Sequence, residues 1–217
     1  MFDGYGNPIS PLKKLKCGIL GDSITAGTGA SEASKSYAAL LEGDFASLTN
    51  YGVSGSCIAQ KWQKPFVSRY SGMSDDLDMV IVFGGVNDFY AGVALGEADS
   101  TTNTEFCGAL NTIMTGLLSK YAGAEIIFVT PIQCDNGSLA TTAANSAGNT
   151  MQDYVDAIKE RCNHYSIPCL DLHSLSGMGV AVSGAQHTVF SHDGIHPNDA
   201  GHQRIYRRIV GFLRGLV

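Results

Sequence analysis

Short apolar runs, several of them β-branched, alternate along this chain with longer stretches whose apolar residues recur at helical spacing. Runs at 16–21, 49–53, 79–83, 125–130 and 167–170 read as strands. Between them, 105–121 places Phe106, Leu110, Ile113, Leu117 and Tyr121 on one helical face. The stretch 150–165 does the same with Met151, Val155, Ile158 and Cys162. The last segment, 199–213, repeats Ile205, Ile209 and Phe212 behind Pro197-Asn198, a helix start signal. A further helix is expected over 36–45. Strands that alternate with helices require right-handed crossovers and therefore a mostly parallel sheet covered on both faces. The expected fold class is α/β, a three-layer α/β/α sandwich around five strands. It forms one domain over 15–217, preceded by an arm over 1–14 that carries turn residues and two prolines.

In such a sheet the loops at the C-terminal strand ends share one rim, where open α/β folds place their chemistry. Those loops begin near Ser23, Ser54, Gly84, Pro131 and Asp171, and two long polar segments, 91–104 and 133–149, are placed to border a cleft. Composition narrows what can bind there. The 217 residues are 44% hydrophobic, enough for one full core. A net charge of −6, spread without long blocks, argues against a nucleic-acid partner, which needs a basic stripe. No apolar run approaches the roughly 18 to 20 residues of a membrane helix. The first residues lack a basic region followed by an apolar stretch, so no signal peptide is expected. The chain reads as soluble, either cytoplasmic or secreted with its leader trimmed. The six cysteines include no C-x-x-C pair, and neither a disulfide framework nor a zinc site is expected.

Four local patterns line up on the rim. Gly21-Asp22-Ser23 follows the first strand, and Asn50-Tyr51-Gly52-Val53-Ser54-Gly55 spans the second strand and its end. Gly84-Gly85-Val86-Asn87-Asp88 follows the third strand, and Asp193-Gly194-Ile195-His196-Pro197-Asn198 precedes the last helix. Taken singly, Ser23 is a turn or cap serine, Asn87-Asp88 a turn, and His192, Asp193 and His196 a surface metal cluster. Taken together, a hydroxyl, an imidazole and a carboxylate are the parts of an acyl-transfer site. The G-x-S-x-G elbow of α/β-hydrolases does not fit, because Thr25 stands where its second glycine would be. Gly27-Thr28-Gly29 matches neither a phosphate loop nor a dinucleotide fingerprint, so no cofactor is expected.

The four blocks, in this order, resemble the SGNH (GDSL) hydrolase family of esterases and lipases, over nearly the whole chain from Gly21 to the final helix. The resemblance implies a flavodoxin-like fold and assigns roles by position. Ser23 is the expected nucleophile, His196 its general base, and Asp193 the group that orients the histidine. The oxyanion donors are the backbone N–H of Ser23, the backbone N–H of Gly55 and the side chain of Asn87. Gly52 competes with Gly55, which is preferred because it lies beyond the strand. Asp22 and Asp88 are expected to hold loops through side-chain to backbone bonds. His164, His173, His187 and His202 have no motif around them and read as structural or solvated.

The loops are rich in Gly, Ser, Thr, Asn and Asp rather than apolar. The resemblance implies a small-molecule or glycan ester substrate and, because many relatives of this size deacetylate carbohydrates, a short acyl group such as an O-acetyl on a carbohydrate, with which these loops are compatible. Trp62, Phe66, Phe89 and Tyr90 are candidates for a sugar-binding platform; the alternative is that Trp62 and Phe66 pack beneath their loop. Arg69 either binds an acidic group or pairs with Asp75 or Asp76. Two other readings stand beside the short-chain esterase. One is a lysophospholipase or acyl-CoA thioesterase, and the other is an inactive carbohydrate-binding module on the same scaffold.

Overall fold

The structure is a computed structural model and describes residues 10–216. Five strands form one sheet in the order β2-β1-β3-β4-β5, with every neighbouring pair parallel. They are β1 (Lys16–Gly21), β2 (Ser47–Gly52), β3 (Met79–Phe83), β4 (Glu125–Val129) and β5 (Cys169–Leu170). The central strand β3, Met-Val-Ile-Val-Phe, is buried at all five positions. An unbroken apolar run of this kind has no solvent face and suits a sheet covered on both sides.

Three long helices follow the expected faces. α5 (Phe106–Lys120) has Glu105 and Tyr121 as its caps, and α9 (Asp199–Leu213) starts on the Asn198 side chain, which accepts from Ala200 and Gly201 N–H. α6 (Met151–His164) begins with a reciprocal capping box between Thr150 and Asp153, which satisfies first-turn N–H groups that the helix cannot. Six shorter helices are α1 (Ser23–Ala26), α2 (Tyr37–Glu42), α3 (Phe66–Arg69), α4 (Val86–Tyr90), α7 (Leu172–Leu175) and α8 (Gly184–Phe190). Apart from α2, sequence periodicity had shown none of these, because one or two turns carry too few apolar repeats to register. The helix expected over 36–45 is shorter, with Ser36 as its N-cap.

Strand ends also moved. β2 starts at Ser47 rather than Thr49, since as an edge strand it keeps polar, partly exposed residues. β5 shrinks to two residues because Pro168 has no N–H for the ladder, although its carbonyl still accepts from Phe128. In the expected N-terminal arm, residues 1–9 lie outside the described residues. The remainder is no free arm: Leu12, in a short 3₁₀ turn, is fully buried in the core. All six cysteines are free thiols.

Strand order fixes where a site can form. β1 connects to β2 in one direction, and β2 then returns across β1 to β3, so right-handed crossovers put their helices on opposite faces. α2 packs with α9, and α3 and α6 pack with α5. A crevice opens where the order reverses, at the C-terminal ends of β1 and β3. The three strands end level, with Gly21 opposite both Gly52 and Phe83. Residues that follow them therefore emerge at one height.

Close packing at this edge depends on glycine. A Cβ at Gly52 would lie 2.4 Å from Ala26 N and 2.7 Å from the Thr25 carbonyl carbon, both backbone atoms of α1. Gly52→Ala is therefore expected to destabilise the fold by about 1–3 kcal/mol. Gly211→Ala, on the open face of α9 with nothing within 4 Å, is expected to stabilise it by roughly 0.5–1 kcal/mol. Denaturant unfolding of the two variants checks both signs.

Candidate active site

Ser23 is the first residue of α1, directly beyond β1, and is 5% exposed. Asp22 caps the helix by accepting from Ile24 N–H at 2.9 Å, and Gly27 ends it in the left-handed conformation at φ 94°. The turn is tied down from three directions. Asn50 donates from its side chain to Thr25 O at 2.7 Å, and the Thr25 and Tyr37 hydroxyls lie 2.6 Å apart. Fully buried His202 accepts from Tyr37 N–H at Nδ1 and donates from Nε2 to Thr28 O, which links α2 and α9 to the turn. As a first-turn residue, Ser23 leaves its own N–H without an intrahelical acceptor.

His196 comes from the far end of the chain. Its Nε2 lies 3.0 Å from Ser23 Oγ, and its Nδ1 lies 2.6 Å from Asp193 Oδ2. The other carboxylate oxygen of Asp193 accepts from the N–H groups of Ile195 at 2.9 Å and His196 at 2.7 Å. Partial burial would raise the Asp193 carboxyl. The His196 side chain and these two N–H groups outweigh that and bring it down to about 2. An ionised Asp193 can only accept, so the proton of neutral His196 sits on Nδ1 and the Nε2 lone pair faces the serine hydroxyl. Ser191 steadies the loop: its hydroxyl donates to His196 O and accepts from Gly194 N–H. Asp135 N–H, from the long loop after β4, donates to Gly194 O at 2.8 Å.

The two other expected donors lie in the segments after β2 and β3. Gly55, in a turn beyond β2, has φ 73°, a conformation that L side chains rarely adopt. Among the described residues its N–H meets no protein acceptor. Gly52, the competing candidate, donates instead to the Asn50 side chain and serves packing. Asn87, in the first turn of α4, donates one amide hydrogen to Ser56 O at 3.0 Å, which leaves the other free. Asp88 beside it is fully buried and accepts from Ile58 and Ala59 N–H at 2.8 and 2.9 Å. It thereby binds the loop after β2 to the helix after β3. Both acids thus hold loops as expected, Asp22 within its own turn and Asp88 across two. Burial pushes Asp22 up to about 6 and Asp88 up to about 7, despite the N–H donors that each receives.

The aromatic candidates divide. Trp62 is 53% exposed and Tyr90 is partly exposed, its hydroxyl donating to Leu139 O at 3.2 Å. Phe66 and Phe89 are not surface residues. Both are 0% exposed: Phe66 closes over Gly84, and Phe89 packs edge-on against Tyr90 and Tyr154. Neither can offer a ring to a substrate. Arg69 pairs with neither Asp75, which Lys120 holds, nor Asp76, which Lys16 holds. It instead clamps strand ends, donating to Gly21 O, Tyr51 O, Lys64 O and Ser56 Oγ. Sequence spacing carried no signal for this, since its acceptors are mostly backbone carbonyls. The loop Arg69 holds is strained: Trp62 and Lys64 have φ of 55° and 48°, which costs an L-residue roughly 1–2 kcal/mol each. Among the described residues, no group of three or more His, Cys, Asp or Glu side chains could hold a metal ion.

With this geometry in view, the comparisons with known proteins agree on family. The profile of the GDSL-like lipase/acylhydrolase family matches residues 19–204. The chain belongs to that family. It is similar to a protein from Lactobacillus plantarum, at 33% identity and a TM-score of 0.85, over 93% of this chain and 98% of that one. It is also similar to the lipase/acylhydrolase from Enterococcus faecalis, at 20% identity and a TM-score of 0.64, over 93% and 96% of the two chains. A two-domain esterase active on acetylated mannans shares the fold at 19% identity and a TM-score of 0.64, over 95% of this chain and 50% of that one. No curated protein matches. Among the described residues no helix is long and apolar enough to cross a membrane.

The buried Asp88 predicts a pH signature. Its carboxyl titrates near 3.8 when unperturbed and near 7 in the folded chain. Between those values the folded chain keeps a proton that the unfolded chain has released, so this group favours folding near pH 4 and loses that contribution as pH rises to 7. Thermal melts should show Asp88→Asn most destabilised relative to wild type near pH 4, with the gap narrowing as pH rises to 7 and level above it. A gap independent of pH would mean that Asp88 ionises normally.

Proposed function

We propose that this acylhydrolase-family member is a serine esterase that removes short acyl groups, most simply O-acetyl groups on carbohydrates. The reading is carried by the chain of contacts Ser23 Oγ to His196 Nε2 at 3.0 Å and His196 Nδ1 to Asp193 at 2.6 Å. A serine alcohol is a weak nucleophile near neutral pH and needs an adjacent base. His196 takes the Ser23 proton as the oxygen attacks the ester carbonyl. It then returns the proton to the departing alcohol. Asp193 holds the tautomer and offsets the imidazolium charge that forms. The oxyanion of the tetrahedral intermediate is received by Ser23 N–H, Gly55 N–H and the free Asn87 amide hydrogen. Collapse leaves an acyl-Ser23 ester, which water cleaves by the same steps with His196 as base.

The short-acyl reading is supported by loops that are polar rather than apolar, one of them pinned at two points. Partly buried Tyr90 lies one helical turn after Asn87 on α4, and its bond to Leu139 ties the 133–149 loop beside the site. Gly194 binds the same loop at Asp135. The loop is thus held at two points, against the helix that bears Asn87 and against the turn that bears His196. A carbohydrate leaving group is compatible with the polar rim and with the exposed Trp62. A two-domain esterase active on acetylated mannans has this fold in half of its chain, which supports the reading.

Hydrolysis of nitrophenyl esters from acetate to octanoate tests the class and the chain length together. Acetate is expected to be the best substrate, and Ser23→Ala to lose activity by about 10⁴-fold or more. Asn87→Ala is expected to lower kcat by roughly 10²–10³. A best rate at octanoate would favour a lysophospholipase or thioesterase. Equal slow rates for wild type and Ser23→Ala, with no labelling by a serine-directed phosphonate, would remove the esterase reading.

A further inference from the structure

The loop between the oxyanion glycine and α3 carries more than the hydrolytic reaction requires. Gln60, Lys61, Trp62, Gln63 and Lys64 are all exposed, and both Trp62 and Lys64 sit in the left-handed region. Such conformations persist in L-residues only where the surroundings hold them. Here they do. Asp88 accepts from Ile58 and Ala59 before the loop, and Gln60 N–H donates to Asn103 O at 2.7 Å. At its far end Lys64 O accepts from Ser56 Oγ at 2.6 Å and Arg69 Nε at 2.7 Å. Ser56 is the residue whose carbonyl receives the Asn87 side chain. The loop is therefore pinned beside the proposed oxyanion donors, with its aromatic residue 53% exposed.

Charge distinguishes this loop from a plain sugar platform. Lys16, Lys35, Lys120 and Lys159 each pair with a carboxylate. Lys61 and Lys64, flanking Trp62, pair with none among the described residues. Arg69 nearby has all three guanidinium nitrogens engaged. In a chain of net charge −6, two unmatched lysines within two residues of one exposed tryptophan give this loop a local positive charge.

We propose that the 60–64 loop recognises an acidic sugar. The Trp62 ring takes the apolar face of a pyranose, and Lys61 and Lys64 take the carboxylate of a uronic acid residue. The esterase would then select acetylated uronate-containing glycans over neutral ones. This rests on the esterase reading for its catalytic consequence, but not for the binding itself. A preset backbone reduces the ordering cost of such binding. An anionic membrane surface is the less fitting occupant, since Gln60 and Gln63 surround Trp62 and no second apolar side chain of this loop could insert beside it.

Trp62 is the only tryptophan of the chain, so its emission on excitation near 295 nm reports this loop alone. Titration of wild type with trigalacturonate is expected to shift that emission at concentrations about tenfold lower than mannotriose requires. Added salt should erode the difference, because exposed charges are screened. Lys61→Gln/Lys64→Gln keeps the fluorophore. It is expected to bind trigalacturonate about tenfold more weakly, while its melting temperature and mannotriose response hold. In hydrolysis, the same variant should lose about tenfold in its kcat/KM ratio for acetylated oligogalacturonides over acetylated manno-oligosaccharides, through KM.

The proposal is overturned by equal responses to the two trisaccharides, by no response to either, or by a double variant that binds trigalacturonate like wild type. A response only to phosphatidylglycerol vesicles would overturn it too. Failure of Ser23→Ala to reduce ester hydrolysis would defeat the esterase reading separately, and the fluorescence result would stand.

Discussion

The turn after β1 lies on the ends of β1 and β2 at a distance that only glycine allows. A Cβ at Gly21 would fall 1.9 Å from Thr25 Oγ1, and one at Gly52 would fall 2.4 Å from Ala26 N. This contact sets the height and direction of Ser23, and the other groups of the site are arranged around it. Because the three strands end level, the loops after β2 and β3 reach the same crevice without long detours. The rigid sheet supplies position, and the loops supply chemistry.

Buried polar groups link those loops. Asp88 receives two N–H groups from the loop after β2, Asn87 donates to Ser56 in that loop, and Arg69 gathers carbonyls from β1, β2 and Lys64. The Asp88 and Asn87 bonds cross from the connection after β3 to that after β2, so Asn87, one of the proposed oxyanion donors, is held in place before any substrate arrives. Preorganisation of this kind is the main resource of an acyl-transfer site. Its cost is visible in Asp22 and Asp88, two carboxyls that burial drives well above their ordinary range. It is visible also in the left-handed backbone of Trp62 and Lys64.

Much of this was legible in the residues. The central strands declared themselves as apolar runs, and α5, α6 and α9 followed 3.6-residue spacing to within one residue of their ends. Of the residues proposed to act together from four short blocks in order, Ser23, His196 and Asp193 are in direct contact, and Asn87 bonds Ser56, next to Gly55. Short helices such as α4 and α8 were illegible because a turn or two contains no measurable period. Phe66 and Phe89 misled for a different reason. An aromatic near a rim motif can face inward or outward, and local sequence does not distinguish the two.

The sequence alone determined the strand and helix alternation, hence the parallel sheet and the rim, because periodicity and crossover handedness are local properties. It also named the side chains proposed as nucleophile, base and orienting carboxylate. Only the tertiary structure decided that Ser23 Oγ and His196 Nε2, 173 positions apart, lie 3.0 Å from each other. It alone showed that Arg69 is a clamp, that two of four aromatic candidates are core, and that Trp62 is exposed on strained backbone. Each of those facts depends on which distant backbone groups accept a hydrogen bond or fill a space, and that information exists only once the chain has closed on itself.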